Sequence, residues 1–390
     1  MAKRVVITGL GVVSPIGTTL EDFWQALLYE DSWPREYPYA RPSYMPHRLA
    51  YLVRGEPGAE AMPQSRAVRF AVQAARAALQ DAGLPGSEEA GAIGICLGTA
   101  TGNHDLLEAQ RERGDRVVPL DAYPFSVTAA VAPRLGLGGP AFTISTVCAA
   151  GCHSVSMAAE AILSGQADVM LAGGADTVSR VTQACFNRMN AVDPQVCRPF
   201  DAHRAGAVYG EGAAMLILES EEHARRRGRT HSYAQVKGAG WSCDAHHPTA
   251  PNPAGGQIAL ALRRALAAAE LTPQDIDCIV AHGTGTELND LAESSGMEQV
   301  FGAALARVAV CAPKSKLGHT AGAAGAFSCL IAALILDRGL VPPTANLTSI
   351  DPRCKLNLHT DWPVPASARH VLVNAYAFGG TNISVILAAA

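Results

Sequence analysis

Cys148 stands in Ile144-Ser145-Thr146-Val147-Cys148-Ala149-Ala150-Gly151-Cys152-His153, where a strand-like run gives way to small residues that open a helix through Met157, Ala158 and Ile162. A thiol at such a turn meets the positive end of the helix dipole and free backbone N–H groups, which lower its pKa and suit it to attack a thioester. The bland alternative is a buried small hydrophobe, and Cys152 one helical turn further on reads as that alone. Chemistry at Cys148 needs partners. His282, in Val280-Ala281-His282-Gly283-Thr284-Gly285-Thr286, and His319, in Lys314-Ser315-Lys316-Leu317-Gly318-His319, both lie just past strand-like runs. That edge of an open α/β sheet is where ligands bind, and an imidazole there is available near neutral pH. Two such histidines beside one candidate nucleophile form a constellation suited to acyl transfer. Near the C-terminus, Asn374-Ala375-Tyr376-Ala377-Phe378-Gly379-Gly380-Thr381-Asn382 reads either as a tight hairpin or as part of the site. In the second case Gly379 and Gly380 bring backbone N–H groups to a substrate oxygen, while Phe378 screens the pocket from water.

The elements that must position these residues alternate along the chain. Strand-like runs occur at Val5–Ile7, Ile93–Leu97, Phe142–Ile144, Val169–Ala172 and Met215–Leu218, and again at Ile279–Ala281, Val308–Cys311, Val371–Asn374 and Ile383–Leu387. Between them lie helical signals: a Thr18-x-x-Glu21 capping box before Phe23, Trp24, Leu27 and Leu28, and alanine-rich periodic stretches over 66–82 and 257–270. The class is therefore α/β. The basic run Arg225-Arg226-Arg227-Gly228-Arg229 separates the two groups of strands and reads as an exposed joint, dividing the chain into 1–229 and 230–390. Residues 31–64, rich in Pro, Tyr and Arg, form a surface excursion that either covers a site or connects elements.

Composition narrows the function. In 390 residues, 31 Lys and Arg against 35 Asp and Glu give a formal net charge of -4, which excludes sequence-independent nucleic-acid binding. Ten cysteines without paired C-x-x-C spacing read as reduced thiols. The uncharged stretch Thr320–Leu336 reads as a buried helix and not a membrane span, no export signal precedes it, and the cytoplasm is the expected location. Cys243-Asp244-Ala245-His246-His247 has no companion cluster to complete a metal site, and no phosphate-binding glycine loop is present, so neither metal nor cofactor is expected.

From Thr8-Gly9-Leu10-Gly11 to Gly379-Gly380-Thr381-Asn382 the chain resembles the β-ketoacyl-acyl-carrier-protein synthases, especially the elongating synthase II type and the ketosynthases of type II polyketide pathways. The signature is a nucleophilic Cys, a His in HGTxT and a His in KSxxGHxxGAAG, in that order. The resemblance implies the thiolase fold, two similar halves in a layered α-β-α-β-α body, each contributing one sheet, with the site between them. It implies that Cys148 is acylated from a carrier-bound thioester, and that His282 and His319 hold the malonyl thioester and stabilise the enolate left by decarboxylation. The amides of Cys148 and Phe378 would form the oxyanion hole, with Phe378 as gate, and Lys314 and Glu293 would hold the histidine network. Thr284 and Thr286 would either bond the pantetheine arm or cap their turn. Implied partners are acyl carrier protein and a second ketosynthase-like subunit, as homodimer or heterodimer. A non-decarboxylating acyltransferase and a chain-length partner subunit are the rival readings.

The segment Arg198-Pro199-Phe200-Asp201-Ala202-His203-Arg204-Ala205-Gly206-Ala207-Val208-Tyr209-Gly210-Glu211-Gly212 departs from the family's RPFDxxRDGFVxGEG at Ala205 and Ala207. Loss of the phenylalanine at 207 predicts a larger substrate pocket, which Ala207→Phe would refill. Met62-Pro63-Gln64-Ser65 stands where relatives carry docking cations, leaving Arg66 and Arg69 as the nearest ones.

Overall fold

Runs that are apolar on both faces form strands covered by helices on both sides. The computed structural model describes residues 3–38, 45–55, 65–84, 91–114, 117–118, 120–360 and 362–390. Among the described residues, five strands of the main sheet belong to the first half: β1 Val5–Val13, β2 Gly94–Gly98, β3 Ala141–Ile144, β4 Val169–Asp176 and β5 Gly212–Ser220. Five belong to the second: β6 Ala234–Cys243, β7 Cys278–Val280, β8 Ala309–Cys311, β9 His370–Ala377 and β10 Thr381–Ala388. The order across the sheet is β8-β7-β9-β10-β6-β1-β5-β4-β2-β3. Counted within its own half, each set runs third, second, fourth, fifth, first, with the same parallel and antiparallel pairings. The two halves are thus one topology used twice. They are not separate sheets as expected, because Val5–Ile7 pairs with Ala234–Val236 and joins them into one ten-stranded sheet.

Helices fill the remaining layers. Outside the first half pack α1 Arg66–Ala82 and α2 Phe125–Leu135; the centre holds α3 Ala150–Leu163. Outside the second half pack α4 Gly256–Ala269 and α5 Glu287–Phe301, and α6 Ala324–Arg338 lies against α3 in the centre. The helix that includes α6 is long and apolar enough to cross a membrane, yet it is buried between the two halves of the sheet. The two central helices begin alike: Thr146-Val147-Cys148-Ala149-Ala150-Gly151 before and into α3, Thr320-Ala321-Gly322-Ala323-Ala324-Gly325 before and into α6. Each enters through a short 3-10 turn, with Val147 at φ 50° and Ala321 at φ 48°. A β-branched residue held there is strained, and the strain is maintained by the packing around it. Where the helices cross, a Cβ on Gly151 would strike the Ala326 nitrogen, and one on Gly325 the Cys152 nitrogen.

Some local expectations shift. The cap of the Leu20–Tyr29 helix is Thr19, which accepts from the Asp22 N–H, and not Thr18 with Glu21. Arg227 and Arg229 are not solvated cations: Arg227 pairs with buried Glu219, and Arg229 donates to the Thr8 carbonyl at 2.7 Å. Of the excursion over 31–64, residues 39–44 and 56–64 lie outside the described residues, Met62-Pro63-Gln64 among them. What is described pairs Arg35–Glu36 with Leu49–Tyr51, and the latter with Tyr209–Gly210, beside the His319 loop. All ten cysteines are free thiols.

Because the α3–α6 crossing has no room for a methyl group, Gly151→Ala should destabilise the fold by roughly 1–3 kcal/mol through overpacking. Urea unfolding of wild type and variant measures this, and an unchanged midpoint would contradict the crossing.

Candidate active site

The small-residue turn before α3 sets Cys148 at the helix entrance, where it lines a cavity of about 510 Å³ together with His282, His319, Phe186 and Phe378. That is a volume typical of small-ligand sites. Ala191, Arg204, Ala205, Gly206, Thr284 and Thr286 are among the residues lining the same space. Ala207 is not among them. It is buried behind the cavity, tied by backbone bonds to Ala191 and Asp193, so Phe186 and not position 207 presents the aromatic surface. The expected enlargement through Ala207 is therefore corrected: Ala207 packs in a buried cluster with Phe186, Val192 and Tyr209 and does not line the cavity.

His282 follows β7 and is gripped by its backbone. Its N–H and that of Gly283 donate to the two oxygens of Glu293, each at 2.8 Å, and its carbonyl accepts from the Lys314 ammonium. Lys314 Nζ also lies 3.4 Å from His282 Nδ1. His319 Nδ1 accepts the Ala321 N–H at 3.2 Å, so its neutral ring carries the proton on Nε2. An ammonium donating to Nδ1 fixes the same tautomer in His282. The rings stand 5.7 Å apart at 87°. Burial first, then the Lys314 charge, hold both imidazoles well below the usual histidine pKa, and His319 adds to the effect on His282. Both are neutral N–H donors at physiological pH.

Burial also raises the Glu293 carboxyl to about 7 against its two N–H donors, and lowers Lys314 against the pull of Glu293. At Cys148 the expected lowering by the helix entrance is outweighed: desolvation pushes the thiol up to about 12, with Lys314 opposing it. The resting group is a thiol.

The glycine turn differs from its expected role. The Gly379 N–H donates to the Pro248 carbonyl at 2.7 Å and that of Gly380 to Ala377 at 3.1 Å, so neither is free for substrate. Among the described residues, the Cys148 and Phe378 N–H groups donate to no protein oxygen. Thr284 and Thr286 share a 2.8 Å hydroxyl contact at the cavity wall. Asp244 accepts from Asn252 and Asn382, and His247 Nδ1 from Thr249 and Ala250, so this acidic and imidazole cluster shapes a loop. Arg66 is ion-paired with buried Glu211 at 2.5 Å.

Two carboxylates escaped the sequence reading. Asp176, at the end of β4, accepts from Ala100, Thr101 and Gly322 N–H groups and from the Thr99 hydroxyl, tying the loop after β2 to the entrance of α6. Asp290 accepts from the Phe200 and Thr284 N–H groups and pairs with Arg204. Its spacing of three from Glu293, directly after the histidine loop, was the available signal.

Models of the beta-ketoacyl synthase N-terminal and C-terminal domains match residues 2–224 and 233–348. The chain belongs to the β-ketoacyl synthase family. Among its relatives, the 3-oxoacyl-[acyl-carrier-protein] synthase 2 of Vibrio cholerae is 37% identical, covering 98% of each chain. Nodulation protein E of Rhizobium meliloti is also 37% identical, with 98% coverage of each. Among solved structures, the ishigamide ketosynthase/chain length factor superposes with a TM-score of 0.92 at 37% identity, covering 100% of both chains. A type II polyketide synthase acyl-carrier protein in complex with its ketosynthase gives 0.91 at 28% identity, again over 100% of both. The likeness establishes an acyl-transferring enzyme of the thiolase fold.

A histidine whose folded pKa lies below its unfolded value of about 6.5 binds fewer protons folded than unfolded in acid, so stability falls as pH drops below 6.5. Glu293, raised when folded, works in the opposite direction between about 7 and its unfolded value. His319→Asn should therefore reduce the stability lost between pH 7.5 and 5.5 by up to about 1.4 kcal/mol. Urea unfolding at both pH values tests this, and an identical acid loss in the variant would contradict a neutral buried ring.

Proposed function

We propose that this β-ketoacyl synthase catalyses decarboxylative Claisen condensation of an acyl thioester with a malonyl thioester, both carried by acyl carrier protein, in fatty acid or type II polyketide biosynthesis. The observation that carries this reading is the opening of Cys148, His282 and His319 into one cavity, with both imidazoles held as neutral Nε2–H donors. In the first step the Cys148 sulfur attacks the acyl carbonyl, the C–S bond to the pantetheine breaks, and the departing thiolate takes up one proton as the thiol loses one. The oxyanion formed on the way is held by the Cys148 and Phe378 N–H groups. In the second step malonyl binds, its C–C bond to the carboxylate breaks, and CO2 leaves. Negative charge collects on the thioester oxygen, where two N–H donors in a dry pocket stabilise it without giving up a proton. The α-carbon then attacks the Cys148 thioester, and the tetrahedral adduct collapses to the β-keto product with release of the Cys148 thiolate.

In this reading Lys314 and Glu293 position His282, and Thr284 and Thr286 offer hydroxyls to the pantetheine arm. No cofactor is required, since the electrons of the broken C–C bond form the new one. Residues 1–229 supply the nucleophile and residues 230–390 the histidines, one from each copy of the shared topology. The edge strand β3 and the exposed Leu120, Tyr123 and Phe125 beside it favour docking of a second ketosynthase-like subunit there. A solved relative is a ketosynthase/chain length factor, which supports a second subunit of that kind.

Purified protein incubated with acyl-carrier and malonyl-carrier thioesters should gain one acyl group on Cys148 and release CO2 with a β-keto product. Cys148→Ala should show no acyl adduct and no product, whereas His282→Ala and His319→Ala should still acylate but lose CO2 release by about 100-fold or more. Intact mass and CO2 trapping read both steps. Acylation without CO2 from malonyl in wild type would instead support a non-decarboxylating acyltransferase, and no acylation at all a chain-length subunit.

A further inference from the structure

The aromatic rings around the cavity form a connected chain that the reaction as described leaves without a purpose. Phe378 is half-buried at the β9–β10 turn, where the ladder closes at Ala377 and Thr381, and the turn passes through Gly379 at φ 85° and Gly380 at φ 78°. Its ring stacks on Phe186 at 5.6 Å and 23°. Phe186 meets Tyr209 edge-on at 4.8 Å and 82°, and Tyr209 lies flat against His319 at 6.1 Å and 13°. Phe186 is 6% exposed on the helix Arg180–Arg188, whose start is fixed by a Ser179 and Thr182 capping box. The glycine side of the turn is pinned by the Pro248 carbonyl and the Asp244 N–H, so the Phe378 side chain is the part left to swing.

We propose that Phe186 is the seat of the Phe378 gate: a positioning residue that holds the gate ring over the Cys148 cavity until acyl substrate displaces it. This rests on the reading of Phe378 as a gate in the condensing reaction. The seat is a rigid aromatic face because Tyr209 backs it and His319 backs Tyr209. Vacating the face removes one aromatic pair from the closed state and nothing from the open one, so the closed state loses population. With the gate unseated, the malonyl thioester reaches the histidines before Cys148 is acylated, and CO2 is released without condensation.

The test compares wild type, Phe186→Leu, Phe186→Tyr, Phe378→Ala and the Phe186→Leu/Phe378→Ala double variant. The first readout is the rate of Cys148 alkylation by iodoacetamide, followed by intact mass. Phe186→Leu should alkylate about 2- to 10-fold faster, the size of one lost aromatic pair, while Phe186→Tyr keeps the wild-type rate. Phe378→Ala should also be faster, and the double variant no faster than Phe378→Ala, because the seat acts only through the gate. The second readout is CO2 released per β-keto product, which should rise in Phe186→Leu and stay at the wild-type ratio in Phe186→Tyr. Phe186→Met, of similar volume without a ring, is held to the same expectation should the leucine variant not fold. An unchanged alkylation rate in the ringless variants, equal leakiness of the tyrosine variant, or independent effects in the double variant would overturn the seat. Alkylation needs no carrier substrate, so a wild type that condenses nothing overturns the reaction assigned above while the alkylation rates still decide the seat.

Discussion

Everything in this active site depends on how closely two central helices approach. The α3–α6 crossing has glycine on both sides, Gly151 against Ala326 and Gly325 against Cys152, with no space for a side chain at either. That approach puts the entrances of both helices at the same end of the molecule. One entrance carries Cys148, and the other follows directly on the His319 loop. Wider spacing would separate nucleophile from imidazole, since each is fixed to its own half of the sheet. The duplicated topology supplies the symmetry, and the glycines supply the distance. At the position equivalent to Cys148 the second half has Gly322, whose backbone N–H is held by Asp176 at 2.6 Å. In the proposed reaction the first entrance is chemical, while the second is held by Asp176.

Burial then determines the charge state of each group. Burial disfavours the charged form of each of these groups, so the thiol is pushed up and the imidazoles down. For a nucleophile this is a cost at rest, and it works against the helix entrance. For a donor to a developing enolate it is an advantage, because a neutral N–H can stabilise charge without transferring its proton. Lys314 is directed at the Nδ1 and carbonyl of His282. It keeps that ring neutral and its proton on Nε2.

The strands, and Cys148, His282 and His319 as the candidate residues, were legible in the sequence because each depends on a local pattern: an apolar run, with the reactive side chain in the loop or turn that follows it. The strand Ala234–Cys243 was not. Its Gly238 and Gly240 are demanded by α4, whose backbone lies where a Cβ would go, and its lysine and glutamine further weaken the apolar signal. Asp176 was missed because its five donors come from residues far along the chain. Ala207 was misread for a related reason. A small residue indicates free volume only if nothing else packs around it, and Phe186, on the helix Arg180–Arg188, packs in the same buried cluster as Ala207 and Tyr209. The glycine turn was legible as a hairpin, but the occupant of its N–H groups, the Pro248 carbonyl above all, belongs to a distant loop.

The central claim is that both imidazoles are neutral and protonated on Nε2 when the enzyme awaits substrate. Nitrogen-15 NMR of histidine-labelled protein at pH 7, with His282→Asn and His319→Asn for assignment, reads this directly from the ring nitrogen shifts. The account predicts a protonated Nε2 and an unprotonated Nδ1 in both rings. An imidazolium in either ring, or a proton on Nδ1 of His319, would contradict it.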